Sequence, residues 1–207
     1  MKLTADGIID AGMAVFAESG YRGLTMRQVA DRLGAHAGSL YYHVPSKTAL
    51  PQLMADRLAR EAYDAATAAL DALPEEPDWK LQLEIQAVAL RQVIRQRPGG
   101  AVLFADSPKV LSAGALSVTE RLLRTLAAAG VAREERAVAA DTLLSHVTGF
   151  VLQEQSEPPA VHVTAQAAAD VHARFPLTVE SAAAHTPDER FVRGVRLLCA
   201  GIEASSA

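Results

Sequence analysis

Apolar residues recur at three- and four-residue intervals along most of the chain, the spacing of amphipathic helices rather than the alternation of strands. Ile8, Ala11, Gly12, Val15 and Phe16 share one face of a first helix, which begins after Thr4 and is expected to stop at Gly20. Thr25 is placed to cap a second helix. There Met26, Val29, Ala30 and Leu33 turn inward, Arg27, Gln28, Asp31 and Arg32 turn out, and Gly34 closes the helix. Residues 39–44 give one or two further turns, sealed to the others by Leu40 and Val44. A long fourth helix is expected over 47–73, with Leu50, Leu53, Met54, Arg57, Leu58 and Glu61 along one side. Pro51 fits its first turn if the helix starts late, near Thr48, since a proline deeper in a helix removes a hydrogen bond.

Pro74-Glu75-Glu76-Pro77 breaks the pattern, and Asp78 can cap a helix carrying Trp79, Leu83, Ala87 or Val88, Leu90 and Ile94. That helix ends near Arg97-Pro98-Gly99-Gly100, and a short apolar segment over 101–105 precedes Pro108. Helices follow over 117–129, stopped by Gly130, and over 134–155, stopped by Pro158-Pro159. Residues 161–186 are poorly patterned and read as one short helix over 164–174 followed by a loop. The last helix starts clearly: Thr186 caps it, Pro187 is its first residue and Glu189 completes a capping box. Phe191, Val195, Leu198 and Ile202 line one face. The wide apolar faces on the helices around Phe150 and Val195 exceed what a small body needs. One reading is pure core; the other is a four-helix bundle made with a second copy, hence a homodimer.

Composition agrees with an all-α fold: half the residues are hydrophobic, aromatics are few, and good helix formers dominate. Cys199 is the only cysteine, so no intrachain disulfide is possible. The amino-terminal stretch MKLTADGIIDAG is too short and interrupted for a signal peptide, and no run of about 20 apolar residues suggests a membrane span. A cytoplasmic location without membrane association is expected. Residues 1–60 hold seven basic and five acidic side chains, a net of +2; the remainder holds thirteen and nineteen, a net of −6. A mildly basic head on an acidic body suits a module that touches double-stranded DNA, carried by a body with another task.

Three short helices with a tight second turn form a helix-turn-helix, whose last helix lies in a DNA major groove. Direct base readout would rest on His36, Ser39 and Tyr41, with Ala37 available to a thymine methyl and Gly38 leaving the tip bare. Thr25, Arg27, Tyr42, His43 and Lys47 would lie near phosphates, which set register. The segments IIDAGMAVFAESGYRGLTMRQVADRLG and GSLYYHVPSKTAL resemble the DNA-binding domain of the tetracycline-repressor (TetR) family. The resemblance divides the chain into a helix-turn-helix domain over 1–46 and a ligand-binding and dimerisation domain over 47–207.

The body resembles the tetracycline repressors proper through RPGGAVLF, LLRTLAAAGV, HVTGFVLQEQ and FVRGVRLLCAGIE. The resemblance implies a ligand between helices, with a metal bound by a histidine after the glycine turn and its water shell supported by an acid and a histidine on the long eighth helix. At those positions stand Leu103, Ser145 and Gln153, none suited to magnesium here. A site shifted to His146 and Glu154 is the remaining alternative, and no metal or other cofactor is expected. The implied pocket wall is Tyr63, Gln86, Leu90, Leu103, Asp106 and Leu122, with His146 and Phe150 beside it. It suits a hydrophobic or amphipathic organic effector whose identity is unknown. No phosphate loop, GxSxG elbow, Rossmann glycine set or His-x-x-x-His is present, so no enzyme is expected. The expectation is a repressor binding a palindromic operator as a homodimer; the alternative is a structural DNA-binding protein with no effector.

Overall fold

The computed structural model describes residues 3–107, 112–156 and 164–205, and among these all regular structure is helical. The helices are α1 (Ala5–Gly23), α2 (Met26–Leu33), α3 (Ala37–Leu40), α4 (Ala49–Asp71), α5 (Trp79–Arg95) and α6 (Gly100–Asp106). They continue with α7 (Ala113–Ala128), α8 (Arg133–Gln155), α9 (Ala165–Arg174), α10 (Pro176–Ala183) and α11 (Pro187–Ser205). Pro108, the expected α8 terminators Pro158 and Pro159, and His162 lie outside the described residues.

The caps lie where side-chain chemistry places them. Thr4, Thr25, Asp78, Ser112 and Thr164 each accept a hydrogen bond from a backbone N–H of the following turn. Thr186 and Glu189 form the reciprocal box that starts α11, at 2.8 and 3.2 Å. Gly34 adopts φ 62° and ends α2, and Ala35 N then bonds back to Ala30 O at 3.0 Å.

Four boundaries differ from the pattern reading. α1 passes through Gly20, which has φ 60°, and regains one turn to Gly23. α3 begins at Ala37 rather than Ser39 and lasts four residues; the chain leaves it in turns over 41–43, and Pro45 disfavours helical backbone at Val44. α7 begins at Ala113, where Ser112 caps it; the small residues Ala113 to Ala115 hid that turn. The expected loop after Arg174 contains α10, with Pro176 at its first position. Pro51 falls in the first turn of a late-starting α4, as its chemistry requires.

Two apolar cores form. The head core gathers Ile8, Val15, Phe16, Val29, Leu40 and Val44 with Leu50, Met54, Ala55 and Leu58 of α4. The body core joins Ala59 and Ala62 of α4 to α5, α7, α8 and α11 through residues such as Leu90, Leu122, Val147 and Phe191. α4 therefore lies in both. Leu103 of α6, expected on the ligand wall, instead belongs to the head core and is fully buried there.

Candidate nucleic-acid interface and body cavity

The recognition tip is built on α3. Leu40 anchors it from beneath, leaving His36, Gly38, Tyr41, Tyr42, His43 and Lys47 on the surface; Tyr42 is 90% exposed. Ala37 and Ser39 are half-buried. The Ser39 hydroxyl donates to His36 O at 2.6 Å, so toward a base it is an acceptor. A side chain at Gly38 would meet open space. Thr25 accepts from Gln28 N at 3.2 Å and donates to Gln28 Oε1 at 3.0 Å. Its hydroxyl proton is thus committed within the cap. Arg27 is exposed, whereas Arg32 is paired with Glu18 at 2.8 Å.

The body holds a cavity lined by Ala62 of α4, Gln86, Ala87 and Leu90 of α5, Val118, Arg121 and Leu122 of α7, and Leu143, Leu144 and Val147 of α8. Of the expected wall, Gln86, Leu90 and Leu122 line it. Tyr63 does not line it, but its ring lies 3.8 Å from the guanidinium of Arg121, which does. Asp106 lies elsewhere, exposed in a shallow groove with Tyr21, Thr48 and Pro51. His146 stacks on Phe191 at 5.2 Å, and Phe150 meets both rings.

Two of those rings, Phe150 and Phe191, lie 5.2 and 4.8 Å from Arg91, the centre of an ion network that pattern reasoning missed. Arg91 is buried, grips Glu154 through Nε at 3.0 Å and Nη2 at 2.6 Å, and reaches Asp188 at 2.6 Å. Burial alone lowers the Arg91 pKa, but the bonds to Glu154 and Asp188 reverse that and raise it. Glu154 is therefore a partner of arginine, and His146 packs against phenylalanine, so the two do not converge as a shifted metal site. No group of three or more histidine, cysteine or acidic side chains gathers as a metal site among the described residues. Cys199 is buried and its thiol is pushed up to about 11 by desolvation, the state of a core residue rather than a nucleophile. Arg121 also went unnoticed in the sequence, because its partners lie more than fifty positions away on α4.

Comparison with known proteins decides the family. Residues 8–52 match "Bacterial regulatory proteins, tetR family", and residues 73–206 match "Tetracyclin repressor-like, C-terminal domain". The chain belongs to the TetR family. An HTH-type transcriptional regulator of Saccharopolyspora erythraea is 31% identical over 99% of this chain and 86% of its own length. A TetR variant from Acinetobacter baumannii AYE, solved in complex with minocycline, is 25% identical with a TM-score of 0.71, covering 100% and 99% of the two chains. BioQ solved with its double-stranded DNA operator is 25% identical with a TM-score of 0.68, covering 98% and 99% of the two chains. The chain is accordingly a transcriptional regulator and not an enzyme, with a DNA-binding helix-turn-helix and a TetR-type ligand-binding body. No described helix is long and apolar enough to cross a membrane.

Proposed function

We propose that this TetR-family regulator is a repressor that binds a palindromic operator as a homodimer and is released by a small hydrophobic or amphipathic effector. Residues 1–46 make the DNA-binding unit and 47–207 the ligand-binding and dimerisation unit, working in the cytoplasm. His36, Ala37, Gly38, Ser39 and Tyr41 face the bases, and Thr25, Arg27, Tyr42, His43 and Lys47 hold the backbone. The effector enters the cavity beside Gln86, Leu90 and Leu122.

The observation that carries this reading is α4. Leu50, Met54, Ala55 and Leu58 of that helix belong to the head core, and Ala62, one turn further, lines the cavity. A ligand that parts the cavity walls moves the helix on which the recognition unit is seated. The second copy is argued from α8 and α11. Val138 and Leu197 are 60% and 74% exposed, and a groove of about 250 Å³ runs between these helices beside Leu198 and Gly201. An exposed apolar surface of that kind calls for a partner. A second copy would also bring two recognition helices to half-sites one DNA turn apart.

Selecting operator DNA from a random pool, then measuring its affinity by fluorescence anisotropy with and without candidate effectors, tests the proposal. A ligand that releases the operator must bind the DNA-incompetent state more tightly, by about 2.8 kcal/mol for a hundredfold loss of operator affinity. A ligand bound in the cavity that left operator affinity unchanged would refute the effector mechanism and favour a regulator that needs none.

A further inference from the structure

Eight of the ten residues lining the cavity are apolar; the two polar ones are Gln86 and Arg121. Each leaves one buried atom without a hydrogen-bond partner: Gln86 Oε1 and Arg121 Nε. Neighbouring groups dictate how the Gln86 amide is turned. Gln82 Nε2 donates to Pro77 O at 2.9 Å, which leaves Gln82 Oε1 to accept from Thr125 Oγ1 at 3.4 Å. A hydroxyl has one proton, so toward Gln86 the Thr125 oxygen can only accept, and Gln86 Nε2 donates to it at 3.1 Å. The orphaned Gln86 atom is therefore an acceptor.

Arg121 commits Nη1 to Thr67 Oγ1 at 2.7 Å and Nη2 to Tyr63 O at 3.0 Å. No carboxylate lies within ion-pair distance of it among the described residues; Asp64 acts on it only from further away. Burial without a counter-ion pulls its pKa down. The lining residues thus carry one unpaired acceptor and one unpaired donor, the latter on a guanidinium that rests on the Tyr63 ring without a carboxylate partner among the described residues. Leaving such groups unpaired is costly, so they discriminate between ligands more sharply than apolar contact does.

We propose that Arg121 and Gln86 read the effector as an apolar organic acid: its carboxylate accepts from Arg121 Nε and a hydroxyl on its ring system donates to Gln86 Oε1. This rests on the cavity being the effector site. The cavity measures about 10 Å³, the room of roughly one water, so such a molecule enters by parting the helices that line it. Both Nη atoms of Arg121 are tied to α4, so a load on the guanidinium passes to the helix that carries the head.

The test is calorimetric titration of the full chain with 2-naphthoate, its monohydroxy isomers and the methyl ester of each. In the wild type every acid that binds should do so about 10- to 100-fold more tightly than its ester, the range for a hydrogen bond to a charged group. At least one hydroxy isomer should bind more tightly than 2-naphthoate. Arg121→Gln should erase the gap between acid and ester, and Gln86→Met should erase the hydroxyl gain while leaving that gap. Circular dichroism checks that both variants fold, and the wild-type comparison stands without them. Esters binding as well as acids, a gap that persists in Arg121→Gln, or no binding at millimolar concentration overturns the assignment and leaves the two atoms to bound water. Acids that bind through Arg121 without releasing the operator overturn the effector reading and keep the assignment.

Discussion

Asp56 ties α4 to α7 with a buried carboxylate, and replacing it separates hydrogen bonding from charge. Oδ1 accepts from Ser112 Oγ at 2.8 Å and from Gly114 N at 2.7 Å, while Oδ2 pairs with Arg60 at 2.6 Å. In Asp56→Ala the buried Gly114 N–H loses its acceptor, and a donor left that way costs about 1–3 kcal/mol. Ser112 still caps α7 through Ala115 N at 3.0 Å. The Arg60 side chain is 58% exposed, so solvent screens that pair to at most about 1 kcal/mol. Asp56→Asn keeps the Oδ1 acceptor but discards the charge and turns Oδ2, which accepts from the exposed Arg60, into an NH2 donor. The expected losses are therefore about 3 kcal/mol for Ala and about 1 kcal/mol for Asn. Equilibrium urea unfolding followed by far-ultraviolet circular dichroism, at one fixed chain concentration, measures both. Equal losses in the two variants would place the energy in the charge and refute this reasoning.

The pH dependence has a defined sign. Burial by itself raises the Asp56 pKa, but the bonds from Gly114 and Ser112 and the Arg60 charge outweigh it and hold the group below its ordinary value of 3.8. A carboxyl depressed on folding contributes stability above 3.8, and loses it as pH falls through the lower folded value. The gap between wild type and Asp56→Asn should thus close in that acid range.

Three further outcomes can be checked. Gly114→Ala should cost about 1–3 kcal/mol in the same unfolding assay, because its Cβ would lie 2.5 Å from Asp56 O and 3.0 Å from Arg60 N. Lys47→Ala should weaken binding to all DNA sequences alike and flatten the logarithmic salt slope by about one; a loss confined to one base pair would contradict a phosphate contact. Val138→Asp with Leu197→Arg should convert a dimer to a monomer on gel filtration, and an unchanged elution volume would move the interface away from the α8–α11 groove.

What the sequence disclosed was local. Thr25, Asp78, Thr164 and Thr186 sit where a short polar side chain can reach the next turn, so caps and helix starts were legible. A helix in the α3 region and a long α4 followed from apolar spacing, but the sharing of α4 between two cores did not, because a division at residue 47 placed it wholly with the body. The misplaced boundaries came where that spacing is weak: Ala113 to Ala115 carry no large apolar residue, and α10 is announced only by Phe175-Pro176. The polar machinery of the body was not legible, for a different reason. Arg91 meets Glu154 and Asp188, and Gln86 meets Thr125, across separations of 39 to 97 residues. No spacing rule reaches that far, and an arginine next to Leu122 on α7 reads as a solvated position until α4 is laid over it.

The position of Leu103 alters how head and body are joined. Taken as chain order, α4 is the only link. In space α6 is a second one, because it delivers Leu103 into the head core while its own start is fixed by the body. Gln155, at the end of α8, donates to Ile94 O at 3.1 Å and Arg97 O at 2.7 Å and accepts from Ala101 N at 3.2 Å. The glycine pair at this turn exists for close approach: a Cβ on Gly100 would lie 2.5 Å from Ile94 O, and one on Gly99 would lie 2.7 Å from the Phe16 ring of the head. Glu61 adds a charged bracket, meeting Arg57 on α4 at 3.0 Å and Arg97 at the turn at 3.4 Å. The head is thus seated on two supports, one continuous with the cavity wall and one clamped to the end of α8. A movement shared by both supports carries the head along unchanged. If the proposed effector enters the cavity, a shift of its wall at Ala62 that the Gln155 clamp does not share would move α4 relative to α6 and so tilt the head.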